Sequence, residues 1–261
     1  MPPGLLLVIL FLAAAGVGVF FAVRTGLALF HKWLDSPDDL IVPPASEIGP
    51  DCVVLRFADE FVPTVPASEV PPWQRFRYHD IRNDLLVPND ELAMAILKVS
   101  LLDLVQAGKI EITVKESSET GDPLKGSDKE LWLRQAGDLP LTPLGRCWSL
   151  SFKMTTRSLW LFRPERSSVP LDDLVEFAIR EAKRSLGWRK AKRSASENLI
   201  LYVQEFLAKR NVPESERERV KRLLSSFKEE KPELEEALSR GIKNALDSLK
   251  RIEPDRDPLS F

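Results

Sequence analysis

The chain has 261 residues, of which 44% are hydrophobic and 29% charged, and a formal net charge of −2. That balance suits an ordinary folded region and excludes a polytopic membrane protein, and it gives no global case for nucleic-acid binding. Two cysteines, Cys52 and Cys147, stand far apart with no CxxC between them, which excludes the usual thiolate metal and redox motifs.

The first element is a hydrophobic run. From Leu5 to Val23, nineteen residues pass without a charge, a Pro or a strongly polar side chain. At a helical rise of ~1.5 Å per residue the run is roughly 28 Å long, close to the ~30 Å hydrocarbon thickness of a bilayer. A cleaved signal peptide would want a basic start, and only Met1-Pro2-Pro3-Gly4 precedes the core; the apolar character also continues past Ala13-Ala14-Ala15. A buried core helix rarely needs so many residues apolar on every side. The run therefore predicts a single transmembrane anchor, with the lipid bilayer as first partner. Arg24 and Lys32 follow the span and no base precedes it, which places the N-terminus outside and the C-terminal region in the cytoplasm. The absence of an Asn-x-Ser/Thr acceptor agrees with that side. Ala14, Gly18, Ala22 and Gly26 fall four apart and form a stripe of small residues through which a partner helix could approach closely. His31, Lys32 and Trp33 suit the headgroup region.

The remaining length suffices for one or two domains. Residues 35–88 read as an acidic, Pro-rich linker, with eleven acids against four bases from Asp35 to Asp90. Within it Cys52–Phe57 is a short strand candidate. Pro63, Pro66, Pro71 and Pro72 favour an extended stretch. Trp73, Phe76 and Tyr78 then read as aromatics that pack this segment onto the domain.

A more ordered unit begins at Asn89, a suitable N-cap followed by Asp90 and Glu91 in the first turn. The helix runs to about Ala107 and stops at Gly108. Leu92, Ala95, Ile96, Val99, Leu102 and Val105, with Leu97, Leu101 and Leu104 beside them, cover most of its circumference, so it belongs at the centre of a core. Ile110, Ile112 and Val114 alternate with polar residues, and Leu131 and Leu133 repeat the pattern beyond a polar tip over Ser117–Lys129. Helix, Gly, strand, tip and strand over Asn89–Gln135 resemble the recognition helix and wing of winged-helix domains. Lys98 is the only base on Leu92–Ala107, so the resemblance implies protein interaction rather than groove reading.

Leu139–Gly145 is a turn-rich connector. Trp148, Leu150, Phe152 and Met154 alternate, as do Leu159 and Leu161, which fits a second hairpin; a helix from Thr142-Pro143 is the alternative. From Ser168 the period becomes 3.6. Leu171, Leu174, Val175, Ala178, Ile179, Ala182 and Leu186 form one stripe between Pro170 and Gly187. Ser194 with Glu197 makes a capping box, Val220 to Phe227 carries a third amphipathic pattern, and Pro232 opens a fourth with bases in its last turn. The predicted fold class is α+β: one transmembrane helix (1–34), the linker (35–88), a winged-helix-like module (89–166), a helical region (167–252) and a loose tail (253–261).

No reaction chemistry assembles from the pattern. Gly121–Ser127 has Ser127 where a phosphate loop needs Lys, and Gly16-Val-Gly18 lies inside the apolar run. His31 and His79 stand alone, so neither a His-based triad nor a zinc motif forms. The expectation is a non-enzyme without cofactor or metal. The one charged feature above background is 180–193, seven bases against one acid. Arg180, Lys183, Arg184, Trp188, Arg189, Lys190, Lys192 and Arg193 could meet anionic lipid headgroups or nucleic acid, or form an ordinary basic helix end. The leading expectation is a membrane-anchored scaffold, adaptor or accessory subunit that binds a protein partner. A membrane-tethered nucleic-acid-binding regulator is the alternative, and an enzyme with an unrecognised site the second.

Overall fold

At the centre of the structure lies the helix with no polar face. A computed structural model of the chain describes residues 43–81, 84–116, 129–160, 168–187, 194–208 and 210–252. The apolar run at 5–23, with Ala14, Gly18, Ala22 and Gly26, lies outside these residues, as does the tail after 252. No helix among the described residues is long and apolar enough to cross a membrane. The observed class is α+β, mostly helical with two small antiparallel sheets.

Two short helices come first, α1 (Pro50–Arg56) and α2 (Ala58–Phe61). The strand expected over Cys52–Phe57 is thus a helix. A short apolar run cannot separate strand from helix by period alone; Pro50 at the first helical position and Asp51 in the first turn decide it. Pro50 to Leu55 are all buried, so this part of the Pro-rich stretch is core rather than linker. Beyond it, β1 (Val65–Pro66), β2 (Tyr78–Asp80) and β3 (Leu85–Pro88) form a sheet in the order β1-β3-β2. The extended stretch expected between Pro63 and Pro72 is broken by 3-10 turns at Ala67–Glu69 and Pro72–Arg77.

The central helix is α3 (Asn89–Gln106). Its N-cap is Pro88, not Asn89; Asn89 is itself helical and nearly buried, and its Nδ2 donates to Phe76 O at 3.1 Å. Gly108, at φ +64°, ends the helix. Lys109 N–H donates to Leu104 O and Gly108 N–H to Val105 O, which satisfies two of the terminal carbonyls. Leu92, Ala93, Ile96, Leu97, Leu101 and Leu102 are fully enclosed. Each buried Leu or Ile contributes roughly 1.5–3 kcal/mol of transfer free energy.

The hairpin follows as expected: β4 (Ile110–Glu116) pairs with β5 (Lys129–Gln135), with Ile112 opposite Leu133 and Val114 opposite Leu131. Ile110, Leu131 and Leu133 are buried, while Val114 is 52% exposed, so the inward face ends before the tip. A third strand, β6 (Ser168–Pro170), adds to β5.

The second hairpin expected from Trp148 onward is absent. Pro143–Trp160 is one helix, α4, as the Thr142-Pro143 alternative has it. Leu144, Cys147, Trp148, Leu150, Ser151, Phe152 and Met154 are all buried, so the period-two pattern reflects a helix enclosed on most sides. Trp148 Nε1 donates to Ser100 Oγ at 2.9 Å, fixing α4 against α3.

Four amphipathic helices complete the fold: α5 (Leu171–Leu186), α6 (Ala195–Leu207), α7 (Glu214–Glu230) and α8 (Pro232–Ile252). Each lies where its stripe predicts, and the Ser194–Glu197 capping box forms with both hydrogen bonds at 3.3 Å. The helices α1, α4, α6, α7 and α8 all pack on α3. Ion pairs fasten the late helices to the early ones: Lys221 and Arg217 to Glu60 at 2.6 and 2.9 Å, Arg219 to Asp103 at 2.5 Å and Lys98 to Glu235 at 2.6 Å.

Candidate functional site

Polar side chains converge in three places. The first is a recess of about 240 Å³ where the starts of α3 and α6 meet the end of α8. Phe76, Arg77, Asp90, Ser194, Glu197 and Lys250 contribute to its wall. Asp90 accepts from Ser196 Oγ at 2.6 Å and from Lys250 Nζ at 2.7 Å. Glu197 accepts from the Ser194 N–H in the capping box. Both carboxylates therefore serve the packing of helix ends.

The second cluster is buried at the start of α4. Asp51, fully enclosed, accepts the Leu144 N–H at Oδ2 over 3.0 Å, and Thr142 Oγ1 accepts the Gly145 N–H at 2.9 Å. The helix start thus receives two side-chain acceptors, one from an element far away in sequence. Burial raises the Asp51 carboxyl to about 6, with its backbone hydrogen bonds opposing. Burial also lifts the Cys147 thiol to about 12, helped by the Glu181 charge, and raises Cys52 further with help from Asp51. Thiols raised in this way are poor nucleophiles. Tyr202, whose hydroxyl donates to Pro143 O at 3.4 Å, is likewise raised by burial. His79 is shifted downward by burial, with Asp80 opposing. Among the described residues no group of three or more His, Cys, Asp or Glu could hold a metal ion.

The third place is the surface turn Pro72–Arg77. Trp73 is 71% exposed and Phe76 42%, so these aromatics do not pack the segment onto the domain as the sequence reading expects. Pro71 and Pro72 set the turn, and in a 3-10 helix positions i and i+3 eclipse, which places Trp73 and Phe76 on one side. Arg75 Nη2 donates to Ala67 O at 3.1 Å, and the Arg77 guanidinium lies 5.5 Å from the Phe76 ring centre. Neither arginine forms an ion pair among the described residues. Aromatics following Pro-Pro were the available signal, and their exposure had no local mark.

Of the basic stretch 180–193, the structure describes Arg180, Lys183 and Arg184 on the last turns of α5; Trp188, Arg189, Lys190, Lys192 and Arg193 lie outside the described residues. Arg180 pairs with Glu176, and Arg184 with Glu181 at 3.6 Å, so part of the charge counted in sequence is compensated locally. Comparison with protein-family models, with characterised proteins and with solved structures finds no match.

Proposed function

We propose that the chain is a single-pass membrane protein, N-terminus outside, whose cytoplasmic domain acts as a scaffold, adaptor or accessory subunit. The observation that carries this reading is the uncharged run Leu5–Val23 with its bases on the C-terminal side only. One feature of the domain supports an interaction role: the buried polar groups Asp51 and Ser196 serve a helix start and a helix contact.

The helix and hairpin of Asn89–Gln135 are read as a winged-helix-like unit adapted to protein contact. Enclosure of α3 supports this use over DNA reading, because a helix wrapped by its neighbours cannot enter a groove. The small-residue stripe Ala14, Gly18, Ala22 and Gly26 is the proposed contact for a partner's membrane helix.

Alkaline carbonate washing of membranes tests the anchor: the chain stays in the pellet, and its release overturns the reading. Protease added outside intact cells tests the sidedness: the domain remains uncut, and cleavage near Trp188 reverses it. Purification in mild detergent then yields a companion chain in fixed ratio, and recovery of the chain alone counts against the adaptor role.

A further inference from the structure

The Trp73 turn carries two exposed aromatic rings and two arginines with no ion-pair partner among the described residues, on eight residues from Pro71 to Tyr78 that contain no acid. This combination is unlike the rest of the described surface. Some cations of the late helices answer carboxylates, as Lys250 answers Asp90 and Arg240 answers Glu236, so it is the pairing of exposed rings with bases that sets the turn apart. Among the described residues the other large apolar side chains are buried or half-buried, Val114 excepted.

We propose that this turn is a second membrane contact, in which Trp73 and Phe76 enter the headgroup boundary of an acidic bilayer while Arg75 and Arg77 meet its phosphates and carboxylates. The inference rests on the anchor reading above, and three observations bear on the choice of occupant. Indole and arginine together match the interface, where an amphipathic ring sits at headgroup level and guanidinium forks pair with phosphate oxygens. The turn itself carries two bases and no acid, a charge complementary to an anionic surface, although Arg77 also borders the recess that holds Asp90 and Glu197. Reach is the third: only nineteen residues, 24 to 42, separate the apolar run from the first described residue. Fully extended they span at most roughly 65 Å, which bounds how far the domain of an anchored chain can stand from the bilayer. The turn is held ready by backbone geometry, with Arg75 tied to Ala67 O and Asn89 tied to Phe76 O. Docking then orders few groups, which keeps its entropic cost small.

The test uses the full chain reconstituted in vesicles of phosphatidylcholine, with and without phosphatidylserine, whose acyl chains carry bromine. Subtracting the emission of Trp73→Leu from that of the wild type isolates the indole at 73 from the other tryptophans. Its emission is quenched in the acidic vesicles and not in the neutral ones. Each arginine near an anionic surface is worth about fivefold, so Arg75→Gln/Arg77→Gln lowers the ratio of docked to undocked domain about 25-fold. Both side chains are exposed, and an unchanged far-ultraviolet spectrum verifies the global fold. Because Arg75 also ties the turn to Ala67 O, Arg75→Lys, which keeps the charge but not the guanidinium tie, is the control and retains the quenching. An unquenched indole in acidic vesicles overturns the proposal and leaves an acidic protein surface as occupant. Quenching equal in both vesicle types, or unmoved by the double substitution, overturns the electrostatic half. Carbonate washing of the same vesicles reports the anchor separately. Chain that washes off refutes the anchor, while the quenching measured before the wash still decides the contact.

Discussion

Asp51 accepts a hydrogen bond from the backbone N–H of Leu144 at 3.0 Å, joining the first helix of the domain to the start of a helix 93 residues later. The carboxylate sits where the unpaired amides of α4 emerge, so it serves as a cap supplied from a distance. Ionising it inside the core is costly, which is why its proton is held to about pH 6. In the unfolded chain the same group titrates near 3.8. Between those values the native state binds more protons than the unfolded one, so this group's contribution is lost as pH rises through 4 to 6. The shift of about two units corresponds to about 3 kcal/mol. Urea unfolding at pH 4 and pH 7 checks this: the stability of the wild type relative to Asp51→Asn falls by that order across the interval. A difference that is flat in pH would show that Asp51 does not titrate in the core.

The Trp148–Ser100 hydrogen bond is fully enclosed, so removing one partner strands the other. Ser100→Ala leaves the indole N–H buried without an acceptor and costs about 1–3 kcal/mol. Adding Trp148→Phe removes the stranded donor, and the double variant loses less than the sum of the two single losses. A double-mutant cycle by urea denaturation measures the coupling.

Cys52 and Cys147 are fully enclosed and their thiols are shifted upward by burial. Both stay unmodified when the native chain meets a disulfide reagent at neutral pH, and both react once denaturant opens the core. Rapid labelling of either in the native state would contradict their placement.

Gly108 closes α3 at φ +64° with open space around its Cα, so a side chain there meets strain but no collision. Gly108→Ala costs about 1 kcal/mol, the left-handed penalty less the gain from a stiffer unfolded chain. Gly241 is the opposite case: a Cβ would approach Leu171 Cδ2 to 2.5 Å where α8 packs on α5. Gly241→Ala overpacks that contact and costs ~1–3 kcal/mol before any gain in helix propensity. Thermal melting of both variants separates the two causes, since Leu171→Ala relieves only the second.

Where a signal is local, the chain displays it. Gly108 and Gly187 end helices, Ser194 and Glu197 begin one, and the stripes of α5 to α8 follow from side-chain spacing alone. The hairpin shows in its alternation. Elements enclosed on most sides lose that contrast, which is why α1 looks extended and α4 looks like paired strands. The candidate surfaces were less visible still. Exposure of Trp73 depends on what the rest of the chain fails to cover, and the capping role of Asp51 depends on a helix 93 residues away. Neither leaves a mark within its own window of sequence.

The late covering of α3 also bears on how the chain is made. α8 supplies Ile242, Ala245 and Leu249 to the core beside α3, and Lys250 locks onto Asp90 at its first turn. Some 143 residues separate Gln106 from Leu249. A ribosome adding about 5–20 residues per second takes roughly 7–30 s to cross that interval. For that time the central helix of the domain is synthesised but uncovered on one flank, so its apolar side chains stay open to non-native contacts until α8 emerges.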